Sequence, residues 1–105
     1  MQKYELTLKQ AMLNSTNPDF KPKTMRNVSK ITGISESYLS NIGKRYSKRL
    51  ESHLDVVFIS KNKGNINTNW LFYTKADEVI RRLEILRILF NCEITDLVRK
   101  KPYKH

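Results

Sequence analysis

The sequence predicts a mainly α-helical domain that carries one small β-hairpin. Segments with apolar residues at helical spacing lie on either side of Gly33, which predicts two helices joined by a tight turn. Two β-prone segments flank Gly64, and a broad apolar stripe of helical period follows Lys75. A chain of 105 residues provides one modest core, so residues 1–105 are predicted to form a single domain.

Residues 1–22 are predicted to form an N-terminal helix followed by a loop. The helix is expected over residues 4–14, where apolar side chains recur at helical spacing. The loop is expected to follow because Pro18 and Pro22 interrupt helical hydrogen bonding.

Residues 24–46 are predicted to form two helices around Gly33. Thr24 and Ser35 are suited to cap the first turns, because their hydroxyls can accept a backbone N–H. Gly33 is expected to end the first helix, since glycine adopts the left-handed conformation at little cost. The apolar residues expected to face inward are Val28, Ile31, Ile34, Leu39 and Ile42.

A β-hairpin is predicted over residues 55–74, with strands at 55–60 and 68–74. Both strand segments are rich in β-branched and aromatic residues, and the loop between them has the composition of a turn.

Residues 75–99 are predicted to be helical again. A long amphipathic helix is expected to end at Asn91, and a shorter helix is expected to follow it. Residues 100–105 are predicted to be a basic tail.

The formal net charge is +10, from 20 Lys and Arg residues against 10 Asp and Glu residues. Most of the excess lies within residues 21–50, which contain eight basic residues and one acidic residue, Glu36, and so carry a net charge of +7. Such an excess indicates a polyanionic partner, most often nucleic acid and less often an anionic membrane surface. The alternative is a basic surface without a specific partner.

The predicted order of helix, glycine turn, helix and hairpin is that of a winged helix-turn-helix domain. Ser29 stands four residues before Gly33, and a small side chain there lets the two helices cross closely. Because this pattern coincides with the most basic segment, we predict a winged helix-turn-helix fold that binds double-stranded DNA.

The sequence after the predicted hairpin resembles the corresponding part of MerR-family DNA-binding domains. That family has a Tyr-Ser/Thr-x-x-Asp sequence, a helix, a glycine turn and a short amphipathic helix. Here Tyr73, Thr74 and Asp77 lead to Asn91 at the position of the turn glycine. The turn sequence KITGIS also resembles the family's Leu-Thr-Gly-Val-Ser type of turn. The resemblance covers roughly residues 24–100. MerR regulators continue into a dimerisation helix and an effector domain where this sequence ends, so no small-molecule effector is expected.

Three sets of residues are predicted to contact DNA. A recognition helix reads base edges with polar side chains on its first turns, and the base-reading candidates are Ser35, Ser37, Tyr38, Ser40 and Asn41. The candidates for phosphate contacts are Lys23, Arg26, Lys30, Lys44, Arg45, Lys48 and Arg49. The predicted wing residues are Lys61, Asn62, Lys63, Gly64 and Asn65. For each set, the alternative is a solvated polar surface.

The function predicted from these patterns is sequence-specific binding of double-stranded DNA. One module reads few base pairs, so a homodimer or a cooperative array on DNA is expected. The role would be that of a small transcriptional regulator or architectural factor of a phage or plasmid type, such as a repressor, an excisionase-like recombination factor or a partition protein that binds centromere repeats. The alternative from another class is a protein-interaction module that binds an acidic host protein.

Other function classes have little support in the sequence. Cys92 is the only cysteine, which excludes an internal disulfide and a multi-cysteine zinc site. His53 stands apart from other candidate ligands, and there are no paired carboxylates or phosphate loops, so neither an enzyme nor a bound cofactor or metal is expected. There is no signal-peptide pattern and no apolar run of about 20 residues, so a cytoplasmic location without membrane association is expected.

Overall fold

The computed structural model describes residues 3–63 and 77–101. These residues are mainly helical and include one small two-stranded antiparallel sheet, which confirms the coarse prediction of fold class. In chain order the elements are β1 (Tyr4–Leu6), α1 (Leu8–Leu13), α2 (Met25–Thr32), α3 (Glu36–Asn41), a 3₁₀ helix (Ile42–Arg45), α4 (Lys48–Lys63), α5 (Glu78–Phe90), α6 (Ile94–Leu97) and β2 (Val98–Lys100). No helix within the described residues has the length and apolar character needed to cross a membrane.

The sheet joins segments from opposite ends of the chain. β1 and β2 pair antiparallel in the register Tyr4↔Lys100, Glu5↔Arg99 and Leu6↔Val98. Two predictions are therefore wrong in part: the helix expected over 4–14 begins only at Leu8, and the basic tail expected from residue 100 begins inside β2. The reason is that pairing with a distant strand satisfies the backbone of these short segments, and local sequence does not reveal such a partner.

A helix occupies the position of the first predicted hairpin strand. α4 runs from Lys48 to Lys63, so the strand predicted at 55–60 is wrong, and the described part of the predicted hairpin is helical. The second predicted strand, at 68–74, lies outside the described residues.

The packing of α4 explains why its β-branched residues are helical. β-Propensity is a weak local preference that burial against neighbouring elements overrides. Leu50, His53 and Leu54 are buried, and Val57 packs against the same core. These residues recur at the i, i+3, i+4 and i+7 spacing of a helix face, and that face decides the conformation.

The hydrophobic core is built around α5, as its apolar stripe predicts. Ile80, Leu83 and Leu86 are almost fully buried, and Phe90 packs against Phe20 with ring centroids 5.5 Å apart. Each such side chain contributes roughly 1.5–3 kcal/mol through burial of its apolar surface. The elements that surround the basic segment are thus held by one continuous core.

The loop after α1 closes the C-terminal end of α5. The Ser15 hydroxyl donates to the carbonyl of Phe90 over 3.1 Å, and the Asn17 amide donates to the carbonyl of Leu89 over 2.7 Å. Asn91 then adopts the left-handed conformation, with φ 55° and ψ 52°, which ends the helix where the sequence predicts. These bonds satisfy carbonyls that a helix terminus leaves without intrahelical partners.

One pair of side chains connects the starts of α4 and α5. A carboxylate oxygen of Asp77 accepts from the backbone N–H groups of Val79 and Ile80, over 2.9 and 3.2 Å. Its other oxygen accepts from the Ser47 hydroxyl over 3.1 Å, and that hydroxyl accepts from the N–H of Leu50 over 3.1 Å. Asp77 therefore caps α5, Ser47 caps α4, and the two capping side chains are hydrogen-bonded to each other.

Candidate nucleic-acid interface

The turn between α2 and α3 has the geometry that the sequence predicts. The Thr24 hydroxyl accepts from the N–H of Asn27 over 3.2 Å, and the Ser35 hydroxyl accepts from the N–H of Tyr38 over 3.1 Å. Gly33 lies in the left-handed region with φ 76°, and its N–H donates to the carbonyl of Ser29 over 2.9 Å. Two capped helices joined through a left-handed glycine make up the helix-turn-helix segment.

The contact face of α2 is rotated from the predicted one. Val28 is buried as expected, but Ile31 is 51% exposed, so its predicted inward position is wrong. The buried side of α2 is centred on Val28, and Ser29 and Thr32 lie half-buried on the same side. Ile31 falls outside this face because successive helical residues are separated by about 100° around the axis.

The outward face of α3 carries short polar side chains. Ser37 and Ser40 are exposed, one helical turn apart. The side-chain amide of Asn41 donates to the carbonyl of Ser37 over 2.9 Å, so one of its hydrogens is engaged within the helix. Ser35 is exposed, but its hydroxyl serves as the helix cap. Inward, Ile34, Leu39 and Ile42 are buried, as the sequence predicts.

Tyr38 differs from the other predicted base-reading residues, because its side chain lies in the core. The residue is only 9% exposed, and within the described part of the chain its buried hydroxyl has no hydrogen-bond partner. Burial, with a contribution from Glu78, raises the pKa of Tyr38 above its usual value. The prediction that Tyr38 faces outward to read bases is wrong, since position 38 shares a helix face with buried Leu39 and Ile42.

Two guanidinium groups lie over the Tyr38 ring. The Arg45 guanidinium carbon is 4.5 Å from the ring centroid, and that of Arg82 is 4.3 Å from it. Arg82 comes from α5 and also pairs with Glu78 over 2.6 Å. Sequence reasoning missed Arg82, because only the tertiary packing of α5 against α3 brings it to the helix-turn-helix segment.

All seven residues predicted to contact phosphate are exposed: Lys23, Arg26, Lys30, Lys44, Arg45, Lys48 and Arg49. Arg26 and Lys30 are four residues apart on α2, and Lys44 and Lys48 follow α3. Lys23 is tied back to the protein, because its ammonium group donates to the carbonyl of Leu13 over 3.1 Å.

Four ion pairs are present in the described part of the chain. They join Lys3 to Asp55, Arg82 to Glu78, Arg87 to Glu84 and Arg99 to Glu5. In residues 3–63 and 77–101, no ion pair involves Arg26, Lys30, Lys44, Arg45 or Lys48. These five basic residues thus carry positive charge that no ion pair within the described structure neutralises.

The predicted wing is not a loop where the structure describes it. Lys61, Asn62 and Lys63 form the last turn of α4, so their assignment to a hairpin loop is wrong. The other two predicted wing residues, Gly64 and Asn65, lie outside the described residues. The part of the candidate interface that the structure describes consists of α2, α3 and the turn into α4.

Two further titratable groups are withdrawn from solvent. His53 is 1% exposed, and burial lowers its pKa to about 4. Cys92 is half-buried, and burial together with Asp96 raises the pKa of its thiol to about 11. The thiol is thus protonated at neutral pH, which makes it a poor nucleophile.

Comparison of this chain with protein-family models, with curated proteins and with solved structures found no match. The resemblance to MerR-family domains stays a prediction from the quoted sequence patterns.

Proposed function

We propose that this chain binds double-stranded DNA, with α3 as the recognition helix. The role is that of a small transcriptional repressor, an excisionase-like factor or a partition protein, acting in the cytoplasm as a homodimer or a cooperative array. The likeness to MerR-family domains belongs to this proposal. It is supported by the Asp77 cap, the left-handed Asn91 and the short helix α6, which follow one another in the order of that family.

The observation that carries the proposal is the set of exposed, unpaired bases around the helix-turn-helix segment. Among described residues, Arg26, Lys30, Lys44, Arg45 and Lys48 lie without an ion pair. Arg26 and Lys30 lie four residues apart on α2, where like charges repel one another, so their placement points to a reason beyond folding. A DNA backbone supplies that reason, because it presents regularly spaced phosphates and releases counterions when it is neutralised.

The basic residues form two groups, one before and one after α3 in the chain. Arg26 and Lys30 lie on the helix that precedes it, and Lys44 and Lys48 lie beyond its end. A helix that enters the major groove has a phosphate strand on each side. In the proposed complex each group contacts one strand, while Ser37, Ser40 and Asn41 face the nucleobases between the two strands.

The proposal keeps the helix-turn-helix part of the predicted fold and drops the wing at residues 55–63. Those residues form part of α4, which begins shortly after α3 and the 3₁₀ helix in the chain. Any contact from α4 would come from its first turn, where Lys48 and Arg49 are exposed, and not from a mobile hairpin.

The test is binding to random duplex DNA over a salt series between about 50 and 200 mM. Two double variants, Arg26→Ala with Lys30→Ala and Lys44→Ala with Lys48→Ala, are compared with the wild type. Each lost phosphate contact is expected to reduce the slope of log K against log salt by about 0.9.

The matched control is Lys9→Ala with Arg87→Ala, which removes the same net charge outside the candidate interface. Lys9 is exposed on α1, and Arg87 is paired with Glu84 on α5. The control is expected to keep the wild-type slope. Equal slopes for all three double variants would mean that only the overall charge matters. If the wild type does not bind DNA at low salt, the proposal fails and an acidic protein partner becomes the better candidate.

A further inference from the structure

Tyr38 is the residue of the recognition helix α3 whose ring contacts Arg82 of α5. Its ring is buried, yet the guanidinium carbons of Arg45 and Arg82 lie 4.5 and 4.3 Å from the ring centroid. A guanidinium within about 6 Å of an aromatic centroid is attracted by the negative face of the ring. Tyr38 therefore makes a favourable contact with an arginine from each of two elements.

The two arginines differ in how they are held. Arg82 is half-buried, and its guanidinium pairs with Glu78 on the same helix over 2.6 Å. Arg45 is exposed at the end of the 3₁₀ helix and has no ion pair in the described part of the protein. Its described side-chain contact is the Tyr38 ring. Arg82 is thus anchored, whereas the charge of Arg45 is held in place but not neutralised.

We infer that Tyr38 is a positioning residue that orients Arg45 toward a phosphate of the bound nucleic acid. The inference rests on the proposed function and adds a role for the one predicted base-reading residue that is buried. A free arginine loses rotamer freedom when it binds a phosphate. A guanidinium already stacked on a fixed ring has less freedom to lose, so the same contact gives tighter binding. The ring is fixed because it is packed in the core beside α5.

The hydroxyl of Tyr38 has no part in this role. It is buried without a hydrogen-bond partner among the described residues, whereas the ring face makes both arginine contacts. Tyr38→Phe keeps the ring and removes only that hydroxyl, so it is expected to fold and to bind DNA within about twofold of the wild type.

The test is a double-mutant cycle measured as affinity for random duplex DNA at fixed low salt. Tyr38→Leu keeps apolar bulk but removes the aromatic face. It is expected to weaken binding about two- to tenfold, which is the usual cost of ordering one rotamer-rich side chain converted to affinity. In an Arg45→Ala background, Tyr38→Leu is expected to cause no further loss. In a Lys48→Ala background it is expected to cause its full loss, because Lys48 is an exposed base of the same segment and makes no described contact with Tyr38.

Thermal melts followed by circular dichroism establish that each variant is folded. If Tyr38→Leu unfolds, Tyr38→Met takes its place, because methionine is flexible enough to fill an irregular buried site without an aromatic face. An equal loss in the Arg45→Ala and Lys48→Ala backgrounds would overturn the inference and leave the proposed function standing. Binding by Tyr38→Phe as weak as that of Tyr38→Leu would overturn it as well. Wild-type protein that binds no DNA would overturn both.

Discussion

Mild acidification is expected to destabilise this protein through His53, which lies in the core on α4. Only 1% of the residue is exposed, and burial lowers its pKa from 6.5 to about 4, although the nearby charge of Asp77 acts in the opposite direction. The imidazole is therefore neutral in the folded protein at pH values where it is protonated in the unfolded chain.

The sign and size of the effect follow from this difference. Because the folded pKa is the lower one, the stabilisation is complete above the unfolded value of 6.5 and is lost as the pH falls toward the folded value of about 4. Integrating the linkage relation gives a loss of about 1.4 kcal/mol at a pH of about 5.5, and a limit of roughly 3 kcal/mol at lower pH. A domain of this size has a total stability of only about 5–15 kcal/mol, so the loss is measurable.

The assay is urea unfolding at pH values of about 7.5, 6.5 and 5.5. His53→Leu is expected to flatten the dependence of unfolding free energy on pH, whatever its effect at neutral pH. Tyr46→Phe is the control: Tyr46 hydrogen-bonds Glu51 and thereby lowers the pKa of that carboxyl, which titrates below this window. Equal stability of the wild type at all three pH values would refute the argument, as would an unchanged pH dependence in His53→Leu.

Two further predictions concern the framework of the candidate interface. Asp77→Ala is expected to lower the unfolding free energy by about 1–2 kcal/mol, because it removes a helix cap and the contact to Ser47. Ser47→Ala, measured by urea unfolding, should cost less stability in the Asp77→Ala background than in the wild type, because the contact between the two side chains is already lost there. Equal losses in the two backgrounds would contradict this coupling. Gly33→Val is expected to lower the melting temperature by several degrees, since φ at Gly33 is 76°, whereas Gly43→Ala should leave it unchanged or higher because a Cβ there has open space. Equal melts for the two glycine variants would remove the argument for a strained turn.

The parts of the fold that the sequence predicts well are governed by local chemistry. Thr24 and Ser35 cap helices because a hydroxyl can reach a free N–H within its own chain segment. Gly33 and Asn91 end helices because they tolerate the left-handed conformation. These interactions span only a few residues, so their partners are visible in the sequence itself.

The parts that could not be predicted depend on distant partners. β1 is a strand because β2 pairs with it, and nothing in the composition of either segment identifies the other. Tyr4 and Asp55 form a similar long-range pair, with a hydrogen bond of 2.6 Å that binds β1 to α4. Residues 55–60 have a β-branched composition that predicts a strand, but they continue the helix face that starts at Leu50, and only packing against the core defines that face.

The burial of Tyr38 also limits what the proposed recognition helix can read. Ser37 and Ser40 present only short hydroxyls, and the amide of Asn41 is partly engaged with the carbonyl of Ser37. The long side chains nearby are lysines and arginines, which suit phosphates more than base edges when they lie beyond the helix end. A single copy with this surface would gain most of its affinity from the backbone and little discrimination from bases. If the proposed function is right, selectivity must therefore arise from several copies on one duplex, because the modest preference of each copy multiplies along adjacent sites.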